Sequence, residues 1–163
     1  MWKKLQRPLT ILFGVLVVAF VAIQFVPVDR SNPPVTMDVV APAEVRSVLR
    51  QSCYDCHSNE SNWPWYSYVA PVSWLVAKDV REGREHLNFS TWDRYTTDER
   101  SEFVAEAYEE AVEGEMPLPI YLTMHNDARL SREDRQVLHD WAQGTTSDRS
   151  AHVRGVAERR DAD

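Results

Sequence analysis

The feature that most limits what this chain can fold into is an uncharged apolar run near its N-terminus. From Leu9 to Val28 no side chain is charged, and only Thr10 and Gln24 are polar within LTILFGVLVVAFVAIQFVPV. A helix of about 20 apolar residues crosses the roughly 30 Å hydrocarbon core of a bilayer. The run has no polar face, so it does not match the amphipathic surface helix of a globular domain. We therefore predict that residues 1–28 form a transmembrane anchor.

The residues that flank this run predict its orientation. Lys3, Lys4 and Arg7 precede it, and clustered basic residues keep that end of a membrane helix in the cytoplasm. A cleaved signal peptide is the alternative, but it has a shorter apolar region followed by a small-x-small site. Here Phe20 stands two residues before Ala22, where a small residue is needed. We predict an uncleaved single-pass helix in the bacterial inner (cytoplasmic) membrane, with the remaining chain on the periplasmic side.

The charge balance of the remaining chain bears on its partners. Eighteen basic and 25 acidic residues give a formal net charge of −7. Since residues 1–28 hold three of the basic residues and none of the acidic ones, the rest carries 15 basic against 25 acidic side chains. Nucleic acid binding depends on clustered basic charge, so no nucleic acid partner is expected. The acidity suits a soluble surface and is compatible with docking to a basic protein.

Beyond the apolar run, the chain divides into three parts. Residues 27–42, PVDRSNPPVTMDVVAP, hold four prolines and no helical periodicity, which predicts an extended linker over residues 29–42. Apolar side chains then recur at helical spacing through residues 43–144, which we predict to be one domain. Residues 145–163 are polar and aperiodic, as in a disordered tail.

Within the predicted domain, helical patterns occur and alternating strand patterns do not. The expected helices are a short one over Ala43–Arg50, one over residues 72–85 after Pro71, one from Thr96 to Gly114 with a capping box at Thr96 and Glu99, and one from a second capping box at Ser131–Asp134 to Gly144. The two capping boxes and the glycine stops are the usual sequence marks of helix ends. The fold class predicted is all-α.

The only two cysteines stand in CYDCH, as Cys53 and Cys56, and His57 follows directly. A redox dithiol of this spacing opens a helix after a strand, and strand patterns are absent. A structural zinc ion needs four ligands, and the other histidines are scattered. A disulfide within this pair would close only a tiny loop and stabilise little.

Cys-x-x-Cys-His is also the attachment motif of c-type haem. Two thiols at this spacing each add to a vinyl group of one porphyrin, and the next residue is an imidazole that can bind the iron. We therefore predict one covalent haem c per chain, bound by Cys53 and Cys56, with His57 as the proximal ligand.

The sixth iron ligand has three candidates. Met116 lies in GEMPLP just after a predicted helix end, where Pro117 holds the chain extended, and a thioether there can reach the iron. Met116 could instead fill a gap in the core. Met124 and His125 are the rivals, and an open or water-bound iron is the remaining possibility. Met116 is the ligand that we predict.

Two further groups of residues have both a structural and a functional interpretation. The dense aromatic stretch could line the haem pocket or pack as core; it comprises Trp63, Trp65, Tyr66, Tyr68 and Trp74. Arg81 and Arg84 could pair with haem propionates, but surface positions are the simpler interpretation.

Several segments taken together resemble a known family. CYDCHSNESNWPWYSYVAPVSWLV is followed by EGREHLNFSTW, GEMPLPIY and, at residues 125–131, HNDARLS. This series resembles the bacterial haem-binding domain family, a cytochrome-c-like group, over about residues 37–144. The resemblance implies a small helical haem domain after the transmembrane helix. It also implies that Cys53, Cys56 and His57 bind the haem and that Met116 matches the distal methionine of cytochromes c.

Three functions are compatible with such a haem. The first is a one-electron carrier tethered beside its redox partner, which the sequence does not identify; a tether raises their effective concentration. The second is a sensor of a small ligand, and the third is a peroxidase-like protein, for which His125 could serve. No acid or base stands out near the motif, so no catalytic residue is predicted. We favour the electron carrier over an enzyme.

Overall fold

The computed structural model describes residues 2–144, with side chains from residue 7 onward, so the predicted tail at residues 145–163 lies outside the described residues. The α-helices of this part are α1 (Trp2–Ile23), α2 (Ala43–Ser52), α3 (Tyr54–His57), α4 (Val72–His86), α5 (Thr97–Glu113) and α6 (residues 132–144). Single turns of 3₁₀-helix lie at Trp65–Tyr68, Trp92–Arg94, Tyr121–Thr123 and Asn126–Ala128. Residues 2–144 contain no strand, only an isolated parallel bridge between Met37 and Thr91. The all-α prediction is confirmed.

Both predicted ends of α5 and the predicted start of α6 are confirmed. The hydroxyl of Thr96 accepts from the Glu99 amide, and the Glu99 carboxylate accepts from the Thr96 amide at 2.8 Å. Gly114 ends α5 in the left-handed region, with φ of 81°, which glycine adopts without steric cost. Ser131 and Asp134 exchange the same pair of hydrogen bonds at the start of α6.

The hydrophobic core is built from α2, α5 and α6 and from the loop over residues 87–92. Its larger buried members are Leu49, Tyr54, Phe89, Trp92, Val104, Leu138 and Trp141. Fully burying a large apolar side chain contributes roughly 1.5–3 kcal/mol, so this cluster is a main source of the domain's stability. Tyr54, inside the CYDCH motif, stacks on Phe89 with ring centroids 5.5 Å apart. The motif is thus attached to the core through its own side chain.

Residues 29–42 lie along the domain. The side chain of Asn32 donates to the carbonyl of Ser61 at 2.9 Å, and the amide of Trp92 donates to the carbonyl of Met37 at 3.0 Å. Val39 is buried in the core. This segment, predicted as a linker, therefore contributes to the packing of the domain that follows it.

Helix α1 presents large apolar side chains outward along its length, including Ile11, Phe13 and Val18. Just beyond its end, the amide of Gln24 is hydrogen-bonded to the backbone of Ala70 in the domain. Among the residues that the structure describes, no helix combines the length and apolar character needed to cross a membrane.

Candidate haem site

The CYDCH motif forms one tight turn between α2 and α4. Cys53 caps the end of α2, and its carbonyl accepts from the amides of Cys56 at 3.2 Å and His57 at 2.9 Å. The phenol of Tyr54, between them, donates to the carboxylate of Asp38. This turn places Cys53 directly before α3 and Cys56 and His57 on it, so the three residues lie together as their spacing predicts.

Both cysteines are free thiols. Burial raises the pKa of each to about 12, with the neighbouring Cys56 adding to the effect at Cys53, and Asp55 and Asp79 adding to it at Cys56. The two sulfurs are therefore protonated at neutral pH. Reactive dithiols instead have a lowered pKa, in electropositive surroundings. The electrostatics of the site do not support the redox-dithiol alternative.

The imidazole of His57 is held in one tautomer. Its Nδ1 lies 3.1 Å from the carbonyl oxygen of Leu87, which can only accept, so Nδ1 carries the hydrogen. Burial lowers the pKa of His57, although its hydrogen bond to Leu87 acts in the opposite direction. A neutral imidazole with Nδ1–H bonded to a carbonyl leaves the Nε2 lone pair free, which is the usual state of a metal-binding histidine.

A cavity of about 320 Å³ adjoins the motif. Its walls come from the loop over residues 61–66, from α4 and from the segment over residues 118–124, and Cys56 lies in the wall. The apolar and aromatic part of the lining consists of Trp63, Pro64, Trp65, Tyr66, Val72, Leu75, Val76, Val80, Leu118, Ile120, Tyr121 and Met124. Pockets for cofactors are concave and lined mainly by such side chains. Most of the predicted aromatic stretch therefore lines this cavity.

One polar atom of the lining residues lacks a partner. The indole Nε1–H of Trp63 is buried and has no hydrogen-bond acceptor among the described residues. A buried unsatisfied donor costs about 1–3 kcal/mol, so an acceptor on a bound molecule would be favoured here. The carboxylates of a haem are acceptors of this kind.

A polar cluster lies along one side of the cavity. The phenol of Tyr121 donates to Asp55 at 2.7 Å, and its ring stacks on His125 with centroids 4.2 Å apart. The Nε2 atom of His125 lies 2.7 Å from the hydroxyl of Tyr66. Asp55 and His125 are thereby both engaged by tyrosines. Asp79 is the second carboxylate of the lining, and burial raises its pKa.

The structure separates the candidates for the sixth ligand. Met124 lies in the wall of the cavity with Cys56, whereas Met116 is not among the lining residues. Met116 is half-buried, and its amide donates to the carbonyl of Glu110 in the last turn of α5. The sequence pattern thus favours Met116, and the position of the side chains favours Met124.

Two residues of α4 support the motif in ways that the sequence did not predict, and one of them is Arg84, for which a surface position was the simpler interpretation. The guanidinium of Arg84 donates to the carbonyls of Ser58 and Ser31 and to the side chains of Asn32 and Ser61. Arg84 therefore joins the segment after the motif to residues 31–32, whereas Arg81 pairs at the surface with glutamates. The sequence did contain a signal for this role. Arg84 stands four residues after Val80, and this spacing places the two side chains on the same, buried face of α4.

Gly83 is the other supporting residue of α4. A Cβ atom at Gly83 would stand 2.8 Å from the carbonyl oxygen of Cys56. The absence of a side chain lets α4 lie directly against the backbone of the motif. The motif is therefore packed between the core, through Tyr54, and α4, through Gly83.

In the described part of the chain, no group of three or more His, Cys, Asp or Glu residues is placed to bind a metal ion among themselves. A family model described as a haem-binding domain matches residues 18–144. No curated protein and no solved structure gives a significant match to the chain.

Proposed function

The chain belongs to the haem-binding domain family, and from this membership we propose that it is a membrane-anchored one-electron carrier with one covalent haem c. The observation that carries the proposal is the apolar cavity beside Cys56. Cys53 and His57 are not among the residues that line it, but both belong to the same turn as Cys56, and the Nδ1 of His57 is bonded to Leu87, which leaves Nε2 as the atom that can bind iron. The two thiols and the imidazole of the motif are groups that can bind a haem, and the unpaired indole N–H of Trp63 can bond one of its carboxylates.

The residues of the motif have distinct roles in this proposal. Cys53 and Cys56 would hold the haem covalently, each thiol sulfur bonded to one carbon of a vinyl group and its hydrogen transferred to the other carbon. His57 would supply Nε2 to the iron, and the carbonyl of Leu87 holds its ring through Nδ1. The bound haem supplies a ferric–ferrous couple. The indole N–H of Trp63, which has no partner among the described residues, would be a donor for a haem carboxylate, and the apolar walls would exclude water.

A peroxidase-like protein is one alternative to the electron carrier. Its mechanism needs an acid or base beside the iron to cleave an O–O bond. The imidazole of His125 is bonded to Tyr66 and Asp55 is bonded to Tyr121, so Asp79 is the carboxylate of the lining that could serve. A small-ligand sensor is the second candidate, and it requires an iron bond that breaks. The absorption spectrum separates these functions, because a methionine–iron bond gives a low-spin haem with a weak long-wavelength band, whereas an open site gives a high-spin ferric haem.

The membrane anchor is part of the proposal. It is supported by the uncharged run from Leu9 to Val28, by the basic residues before it, and by the outward apolar side chains of α1. The haem domain would then lie on the periplasmic side of the inner membrane, and its acidic surface would suit a basic redox partner. We expect detergent, and not high salt, to release the protein. N-terminal sequencing that begins beyond Val26 would contradict the anchor.

Haem attachment is tested on the full chain produced with a c-type maturation system. After denaturing electrophoresis, the wild-type band should stain for haem and the Cys53→Ser, Cys56→Ser double variant should not. Each single variant keeps one thioether, so its pyridine haemochrome spectrum should shift to longer wavelength, as for a haem with one unsaturated vinyl group. A Met124→Ala control should keep the stain. An unstained wild-type band would refute the proposal.

A further inference from the structure

An uncharged aromatic surface lies next to the end of α1. Residues 61–77 contain no charged side chain, although the chain as a whole is rich in charge. Within this stretch Trp65 is 70% exposed, Tyr68 60%, Val69 37% and Val72 43%. We call these four residues the aromatic face. Contiguous exposed apolar residues of this kind mark interaction sites rather than ordinary surface.

The end of α1 is joined to this face by a reciprocal pair of hydrogen bonds. The side-chain oxygen of Gln24 accepts from the amide of Ala70 at 2.9 Å, and its Nε2 donates to the carbonyl of Ala70 at 3.2 Å. The same Nε2 also donates to the carbonyl of Phe20 at 2.9 Å. The side-chain amide of Gln24 and the backbone groups of Ala70 thus complete each other's hydrogen bonds without water. Polar groups in an apolar environment need such partners, because no water is available there.

The depth of Gln24 follows from the dimensions of the helix. At a rise of about 1.5 Å per residue, Gln24 lies about 22 Å along the axis from Leu9. With Leu9 at the inner boundary of a hydrocarbon core roughly 30 Å thick, Gln24 and the peptide bonded to it would lie toward the outer edge of that core, next to the headgroups. Tyr68, Val69 and Val72 are within two residues of that peptide, so they lie close to the membrane surface.

The side chains at this junction have the chemistry of a lipid interface. Tryptophan and tyrosine concentrate at the level of the headgroups, where an apolar ring and a polar tip are both accommodated. Arg30 lies over the ring of Tyr68, 4.5 Å from its centroid, and donates to the carbonyl of Ser67 at 3.1 Å. This places one positive charge beside the aromatic face, where it can meet lipid phosphates.

We propose that the aromatic face is inserted in the headgroup region of the outer leaflet, so that the haem domain lies on the membrane in one fixed orientation. This inference rests on the proposed anchor. Trp65 and Val72 also line the cavity beside Cys56, so this wall of the haem site is turned toward the bilayer. Electron exchange would then occur close to the membrane surface.

Photocrosslinking of the haem-loaded full chain tests the orientation. Tyr68 is replaced by p-benzoylphenylalanine, which is similar in shape, and the chain is reconstituted in vesicles of phosphatidylethanolamine and phosphatidylglycerol. Val112, a 52% exposed residue of α5 outside the aromatic face, carries the same replacement as a control. After irradiation, mass spectrometry should detect one added phospholipid at position 68 and none at position 112.

The alternative outcomes separate this inference from the anchor. Failure of the chain to float with vesicles after a high-salt wash contradicts the anchor and with it the orientation. Flotation without a lipid adduct at position 68 contradicts the orientation alone, as does an adduct at both positions. A crosslink from position 68 to a second copy of the chain shows that the aromatic face is a protein interface, and this also overturns the inference.

Discussion

Replacing Gly83 by alanine tests whether α4 must lie directly against the CYDCH turn. The new Cβ would be 2.8 Å from the carbonyl oxygen and 3.2 Å from the carbonyl carbon of Cys56. Comfortable carbon–oxygen contacts are about 3.3–3.6 Å, so α4 and the turn must separate by about half an ångström. The obstacle is backbone, which cannot rotate away as a side chain would.

Two opposing effects set the expected size of the change in stability. Overpacking a well-packed site costs roughly 1–3 kcal/mol, and the rigid obstacle points to the upper half of that range. Alanine within a helix is more favourable than glycine by about 1 kcal/mol. The free energy of unfolding should therefore fall by about 1–2 kcal/mol. For a domain of about 100 residues this lowers Tm by at least about 4 °C.

Urea unfolding of the full chain in detergent, followed by far-ultraviolet circular dichroism and by haem absorbance, measures this change. Gly144→Ala, at the last described residue of α6, is the control, because a Cβ there meets nothing within 4 Å. Without a clash it should leave the free energy of unfolding unchanged or raise it by up to about 1 kcal/mol. If Gly83→Ala is as stable as wild type or more so, with an unchanged haem content, the close approach of α4 to Cys56 is not a structural requirement.

Three other changes probe the site and its support. Arg84→Lys keeps the charge but loses the branched donor geometry of the guanidinium, so the free energy of unfolding should fall by about 1–3 kcal/mol. The control, Arg81→Lys at the surface, should change it by less than about 0.5 kcal/mol. Equal effects of the two substitutions would refute the role of Arg84. Hydrogen bonds from Thr96 lower the pKa of Glu99 below its ordinary value of 4.5, so the stability that its charge contributes is present above that value and is lost as the pH falls through the folded pKa. In urea unfolding the advantage of wild type over Glu99→Gln should therefore shrink as the pH is lowered below 4.5, and an advantage independent of pH would contradict this. Of Met116→Ala and Met124→Ala, the variant that removes the sixth ligand should turn the haem high-spin and lower its potential; low-spin spectra in both would exclude both methionines.

The features that the sequence determined are those set by residues close together in the chain. A capping box links residues three apart, and a Cys-x-x-Cys-His turn spans five, so the pattern carries the geometry. The starts of α5 and α6 and the clustering of Cys53, Cys56 and His57 on one turn could therefore be predicted. The helical class followed in the same way, because the apolar spacing of each segment fits one local conformation.

Only the tertiary structure decided which distant segments meet around the motif. The sequence pattern placed Met116 at the iron, yet Met124 is the methionine in the cavity wall with Cys56. The sequence suggested a propionate or the surface for Arg84 and singled out no role for Gly83, and their contacts with the motif and the segment after it emerge only where α4 crosses it. Gln24 appeared as a polar exception in an apolar run, until its pairing with Ala70, 46 residues away, gave it a partner. Such contacts depend on how helices pack against one another, and periodicity specifies which face of a helix is buried but not what lies against it.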